Sequence, residues 1–295
     1  MTEAVYAYEH GLLPDPGATH DLSCLNILDE NIILEELRVR FNNDKFYTFL
    51  GDVLIAVNPN KKLHIYDEKQ HLQFDKDDTS AKQPHIFWTP QQAYCNFLYR
   101  GRHQCILVSG ESGTGKTDSA KLIVKHLAYM STAGDDVISD KILKASHLLE
   151  AFGNAVTPMN QNSSRFGKYV QLFFTDKGFL SGAKVTEYML EKSRLVSRND
   201  GESNFHVLYY MLAGLSPEVR ASYCLDPSGN YRILQNVDRT GVLEKQKPRD
   251  TTEVTQLCSV MGTVGFTDKD IANTVRSLAI ILHLTTITFF DDGSF

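Results

Sequence analysis

The chain has 295 residues, 42% of them hydrophobic, 10% aromatic and 22% charged, with a formal net charge of −6. This is a globular composition with enough apolar material for a large core or two closely joined subdomains. The acidic surplus gives no basic footprint for nucleic acid, so a nucleic-acid partner is not expected.

Five cysteines, Cys24, Cys95, Cys105, Cys224 and Cys258, lie far apart without a Cys-x-x-Cys pair. An odd, scattered set reads as reduced thiols of a cytosolic protein, with no disulfide frame or zinc site. The first residues, Met1 to Tyr6, lack the basic and apolar regions of a secretory signal. The longest apolar stretch, Leu278 to Phe290, is interrupted by His283 and several threonines and is too short for a transmembrane segment.

Residues 1–20 read as a lead-in segment. Ile32, Ile33, Leu37 and Phe41 have helical spacing, with Asp29 or Asn31 placed to cap the helix. Tyr47–Phe49 and Val53–Val57 read as strands broken by Gly51-Asp52 and ended by Asn58-Pro59. Residues 75–83 read as a charged surface loop, and Gln91 to Leu98 as a helix. Gln104 to Ser109 is a short apolar run that predicts a buried parallel strand. Its successor, from Ser119 to Leu127, puts Leu122, Ile123, His126 and Leu127 on one helical face and Lys121 and Lys125 on another.

The polar stretch 131–136 is the best candidate subdomain boundary. A helix is expected from Lys141 to Phe152, and a hairpin from Tyr169–Phe174 and Phe179–Tyr188 around Thr175-Asp176-Lys177-Gly178. Helices at about 204–213 and 268–283 dominate the rest. The class is α/β with a helical second half. His206 and His283, set among apolar residues, read as satisfied core histidines. Glu187, Glu191, Lys192 and Arg194 read as surface ion pairs.

Between the apolar run and the helix stands Gly110-Glu111-Ser112-Gly113-Thr114-Gly115-Lys116-Thr117, which is Gly-x-x-x-x-Gly-Lys-Thr without a mismatch. Backbone N–H groups of such a loop converge on an anion, and Gly113 and Gly115 can take the positive φ that lets the chain wrap a phosphate. The helix opening near Lys116 points its positive end at the same place. Lys116 would neutralise the outer phosphate oxygens, and the Thr117 hydroxyl would ligate Mg²⁺. The expected ligand is a nucleoside triphosphate. Glu111 reads as part of the loop's shape and not as a base.

A second polar cluster runs Asn160-Gln161-Asn162-Ser163-Ser164-Arg165-Phe166-Gly167-Lys168. Phosphate-loop hydrolases need a second segment that completes the Mg²⁺ shell and covers the γ-phosphate. With it, the chain resembles the motor domain of a myosin. Gly110–Thr117 is similar to the family's phosphate loop and Asn160–Lys168 to its first switch. Asn58 to Tyr66 resembles the adenine-side loop, and Leu149–Ala155 and Tyr188–Arg194 resemble the stretches flanking the switch. The resemblance runs from about residue 21 to the end and implies a P-loop NTPase core, a mixed central β-sheet flanked by helices. It divides the motor part into 21–130 with the phosphate loop, a surface loop at 131–139, and 140–295 with the first switch and part of the upper subdomain.

The resemblance also implies roles. Lys116 would contact the β- and γ-phosphates of ATP, and Thr117 and Ser164 would give Mg²⁺ its two protein hydroxyls. Ser163 would lie beside the γ-phosphate and help relay a proton from the attacking water. Asn160 would hydrogen-bond the phosphates, and Asn58, Pro59 and Tyr66 would border the adenine. Arg165 would pair with an acid of the family's second switch. No Asp-x-x-Gly-Phe-Glu stretch follows in this chain, so that partner is missing. The implied whole is an ATP-driven, actin-based motor with calmodulin-type light chains, cytoplasmic and cytoskeleton-associated, of which this is a truncated head. Residues 194–210 favour class nine.

Val156 departs from a common lysine, Asn60 from a usual aromatic, Arg198-Asn199-Asp200 from a usual Gln-led stretch, and Pro158 precedes the switch. Pro158 bears on switch mobility and so on nucleotide release. A sheet without its later strands is expected to leave an open edge and an aggregation-prone chain. The competing readings are another P-loop enzyme and a fragment that binds nucleotide or a partner without turnover. The chain lacks the Asn-Lys-x-Asp guanine reader of a GTPase, and the Asn58-Pro59 loop and the Glu191–Arg194 motif favour myosin over a kinesin-like motor.

Overall fold

The computed structural model describes residues 14–15, 17–74, 83–131, 137–226, 231–234 and 247–289, with only the backbone described for 247–252. The expected charged loop at 75–83 apart from Gln83, all but Ser131 of the polar stretch 131–136 and most of the lead-in lie outside them. The chain divides into two compact units. The first is 1–136 with 175–180; the second is 137–174 with 181–295.

In the first unit, helix α1 (Glu30–Asn42) starts where Asp29 accepts the Ile32 N–H. Strands β1 (Tyr47–Leu50) and β2 (Val53–Ala56) pair antiparallel, Leu50 opposite Val53. Gly51 turns the chain between them at φ 60°, the left-handed conformation such a tight hairpin needs. Helix α2 (Glu68–Gln73) is capped by Asp67, and α3 (Trp88–Arg100) ends on Gly101 at φ 60°. Helix α4 (Lys116–Ser131) buries Ile123, His126 and Leu127 and exposes Lys125, as its periodicity predicts.

The C-terminal half of α4 packs into an aromatic cluster. Phe87, fully buried, stacks on His126 and His71, with ring centroids 4.3 Å apart in each case. His71 and His126 meet Nδ1 to Nδ1 at 2.8 Å. Burial pushes His71 and His85 down to about 4 and His126 to about 3, so all three are neutral at pH 7.

In the second unit, α5 (Val137–Gly153) runs directly into β3 (Asn154–Thr157). Strand β4 (Asn160–Ser164) returns antiparallel, with Thr157 opposite Asn160 and Asn154 opposite Ser164. The next hairpin, β5 (Gly167–Phe174) and β6 (Leu180–Tyr188), matches the expected strands within two residues. Helices α6 (His206–Gly214), α7 (Pro217–Ser222), α8 (Lys247–Val264) and α9 (Asp268–Leu284) complete the unit. Leu208, Met211, Leu257, Met261, Leu278 and Leu282 form its core. A Thr267–Asp270 capping box starts α9.

One expectation fails clearly. Gln104 to Ser109 carries no strand, and Leu107 is 87% exposed. Among the described residues the strands form three separate two-stranded sheets and no central sheet, so nothing pairs with this run. An apolar run becomes a buried strand only when a neighbour supplies ladder hydrogen bonds and a covering face.

Candidate functional site

The phosphate-loop sequence lies in the first unit, largely exposed, and passes into α4 at Lys116. Gly110, Gly113 and Gly115 have φ of 149°, 83° and 89°. These backbone conformations strain any residue with a Cβ, and a Cβ on Gly110 would also stand 2.7 Å from Thr114 Oγ1. The Glu111 carbonyl accepts from the Thr114 hydroxyl at 2.8 Å, which closes the turn. Lys116 Nζ donates to the carbonyls of Gly110 and Glu111 at 2.7 and 2.6 Å. The ammonium thus bridges the loop's ends, beside the N–H groups that α4 leaves outside its own ladder.

Of the adenine-side residues, Asn58 is tied to this loop: its Nδ2 donates to the Gly113 carbonyl at 3.0 Å. Asn60 takes φ 52°, in the left-handed region that asparagine tolerates and an aromatic ring fits less readily. Tyr66 is half-buried, its hydroxyl 2.7 Å from that of Tyr47. Pro59 lies between them in the chain, partly covered.

The switch-like cluster lies in the second unit and is a strand, not a loop. Alternation along β4 buries Ser163, 2% exposed, and leaves Asn162 and Ser164 exposed. The Asn160 side chain accepts from the Asn162 N–H at 2.9 Å, and its backbone exchanges hydrogen bonds with the Thr157 hydroxyl. Pro158 and Met159 form the exposed two-residue turn. Val156 is fully buried and bonded to Ser203 on both backbone groups, so a lysine here would lose its solvation. His206 and His283 are satisfied as expected, His206 by Asn162 at 3.1 Å and His283 by the Tyr223 carbonyl at 2.8 Å.

Arg165 has a partner that sequence reasoning missed. Its Nε donates to Glu191 Oε2 at 2.6 Å, and its Nη1 donates to Ser163 Oγ at 3.0 Å. Glu191 also accepts from Arg194 at 3.0 and 3.3 Å. Arg194 is 1% exposed and donates further to Glu202 at 2.8 Å and the Ser203 carbonyl at 2.8 Å. This corrects the expectation of surface ion pairs: Glu187 and Lys192 are exposed, but Arg194 is a buried post. Burial alone would raise the Glu191 carboxyl, but the hydrogen bonds from Arg165 and Arg194 hold it below its ordinary value. The one signal in the sequence was the spacing of Glu191 and Arg194, three apart like neighbours on a helical turn.

The profile of the family described as "Myosin head (motor domain)" matches residues 19–294. The chain belongs to the myosin head family. It is 40% identical to Myosin-IIIb of Mus musculus over 273 residues, which is 91% of this chain and 21% of the relative. Unconventional myosin-IXa of Mus musculus is 39% identical over 301 residues, 95% of this chain and 12% of the relative. Myosin ID heavy chain of Dictyostelium discoideum is 36% identical over 287 residues, 96% of this chain and 25% of the relative. The myosin-head chain therefore spans a quarter or less of these relatives. Identities of 40% and 39% to classes three and nine do not separate the two.

The loop's features fit the phosphates of a nucleotide. Three glycines hold conformations that open backbone N–H groups to an anion, and a lysine and a helix start stand beside them. Among the described residues no cluster of three or more His, Cys, Asp or Glu could hold a metal ion alone. An ion held by two hydroxyls and phosphate oxygens needs no such cluster. Also among the described residues, no helix is long and apolar enough to cross a membrane.

Proposed function

We propose that this chain is the Mg·ATP-binding part of an actin-based motor, in which ATP hydrolysis drives movement along actin filaments. The observation that carries the reading is the Gly110–Thr117 loop at the start of α4, with Gly110, Gly113 and Gly115 at positive φ, in a myosin head chain. Lys116 would leave one or both loop carbonyls for the β- and γ-phosphates. Backbone N–H groups of Ser112 to Thr117 would line the phosphates, and Asn58, anchored to Gly113, would border the nucleoside with Pro59 and Tyr66.

Thr117 and Ser164 would hold Mg²⁺, which when bound neutralises charge on the phosphate oxygens. Asn160 would hydrogen-bond the phosphates. Ser163, with its oxygen already accepting from Arg165, would pass its own proton to a terminal phosphate oxygen and take one from the attacking water. Such catalysis relies on positioning and charge, with no protein nucleophile. In the whole protein, actin filaments, calmodulin-type light chains and a cytoplasmic, cytoskeleton-associated location complete the reading.

The test is Mg²⁺-dependent binding of a fluorescent ATP analogue by the chain and by Lys116→Ala. Loss of binding by a hundredfold or more in the variant, with melting unchanged, supports the reading. Equal binding by both, or by neither, rejects it.

A second reading is nucleotide binding without turnover. It is favoured by one observation: Arg165 is engaged by Glu191. Phosphate release from a stoichiometric ATP complex separates the two, since none is expected under this reading.

A further inference from the structure

We infer that Tyr47 is a positioning residue: its hydroxyl fixes Tyr66 beside the Gly110–Thr117 loop and so sets how much a nucleoside adds to the binding of its phosphates. The inference rests on the proposed nucleotide site and stays within the first unit, where all of these residues lie.

The β1–β2 register sets the frame. Tyr47 stands opposite Ala56, and the Val57 N–H donates to the Phe46 carbonyl at 2.9 Å, so Asn58 follows directly on the paired stretch. Asn58 is tied to the Gly113 carbonyl, and a Cβ on Gly115 would stand 3.5 Å from its Nδ2. Burial raises the Tyr66 phenol, the hydrogen bond with Tyr47 opposes this, and the charge of Asp118 in the first turn of α4 adds to it. Tyr66 therefore stands near the start of the helix that the loop feeds.

The two phenol oxygens lie 2.7 Å apart, which leaves room for one hydrogen between them. Tyr47 is 7% exposed, and among the described residues its hydroxyl has no second partner. A buried O–H without an acceptor is destabilising, so Tyr47 is the donor. Tyr66, half-buried, keeps its own hydrogen for a ligand.

The rest of Tyr66 is held separately. Its ring packs on His85 and Phe87, with centroids 5.9 and 6.2 Å away. His85 Nδ1 accepts from the Phe87 N–H at 3.1 Å, so its Nε2 carries the hydrogen and donates to the Ile65 carbonyl at 2.9 Å. That carbonyl belongs to the planar peptide that leads into Tyr66. Without the Tyr47 hydroxyl the ring keeps its packing but loses the bond that fixes its tip. A base lying against Tyr66 would register the change, and phosphates held by the loop would not.

The experiment compares β,γ-imido ATP with inorganic tripolyphosphate, both with Mg²⁺, by calorimetry on the chain as it stands. The same pair is run on Tyr47→Phe, Tyr66→Phe, the double variant and Lys116→Ala. In Tyr47→Phe the nucleotide is expected to bind about fivefold more weakly, the size of one neutral hydrogen bond, with tripolyphosphate changed less than about twofold. Tyr66→Phe removes the same bond from its other end and should show the same split, so it carries the test if Tyr47→Phe does not fold. The double variant should bind the nucleotide no more weakly than Tyr66→Phe, because Tyr47 acts through Tyr66. That non-additivity is read on the nucleotide alone, whatever the tripolyphosphate affinity.

Unchanged nucleotide binding in the folded variants, equal weakening of both ligands, or additive losses in the double variant overturns the inference and makes Tyr47 a purely structural residue. If wild type binds both ligands and Lys116→Ala neither, that failure leaves the nucleotide site standing. If wild type binds neither, the site reading falls and takes the inference with it.

Discussion

The Gly110–Thr117 loop of the first unit and the β3–β4 hairpin of the second are built in different ways. The loop is local. Every bond described for Thr114 and Lys116 stays within seven residues, and its surface is open. The hairpin is non-local. Its arginine is held by a residue 26 positions away, and a backbone group of Val156 by one 47 positions away. The loop's shape therefore depends on what residues cannot be there, namely side chains on three glycines. The hairpin's shape depends on what must be there elsewhere.

The largest expected effect tests the histidine cluster at the far half of the loop's helix. His71, His85 and His126 stay neutral in the folded unit down to about pH 4, but in the unfolded chain they take protons below about 6.5. The unfolded state binds more protons between those limits, so stability falls as pH falls through that window. The slope is about 1.4 kcal/mol per pH unit for each histidine that acts independently. Urea midpoints between pH 7 and pH 5 measure it, and a flat profile would show the cluster to be open to water.

Next comes Arg194→Met, which leaves two carboxylates facing a buried void of charge. A loss of about 3–5 kcal/mol is expected, read as a drop of about 6 °C or more in the second unit's melting. If melting is unchanged, the hairpin is not held from a distance.

Gly110→Ala should do the reverse. It strains the backbone and brings a methyl against Thr114, at a cost of about 1–3 kcal/mol. Because the loop is exposed, the loss should appear in nucleotide affinity and scarcely in melting. The smallest effect belongs to Thr267→Ala, which removes a local cap from α9 far along the chain. About 1 kcal/mol of thermal stability should go, with nucleotide affinity untouched.

How much was legible follows the same division. The hairpin of β1 and β2 was readable because Gly51 marks its turn, and the buried face of α4 because its apolar residues recur at helical spacing. The second hairpin and α9 were readable for the same reason. The positive φ of Gly113 and Gly115 was readable because such backbone conformations favour glycine.

Gln104 to Ser109 misled because an apolar run signals burial only if something lies alongside, and pairing is not written in a single segment. The polar composition of Asn160–Ser164 carried no strand signal, whereas pairing with Asn154–Thr157 makes it a strand. Arg165's partner was hidden because Glu191 shares no periodicity with it. The resemblance left Arg165 without an acid partner in this chain, and Glu191 supplies one.

The contact between His71 and His126 has a consequence in proton bookkeeping. Two imidazole nitrogens 2.8 Å apart can hold one hydrogen between them. The rings must therefore be opposite tautomers, one protonated at Nδ1 and the other at Nε2, although sequence and burial treat them alike. A first added proton can go to the bare Nε2 and keep the bond. A second must put hydrogen against hydrogen, so α2 and α4 cannot remain joined there. The ring nitrogens should accordingly give two distinct ¹⁵N signatures at neutral pH, and the helix that begins at Lys116 is fastened to its neighbour by a bond that tolerates one further proton and no more.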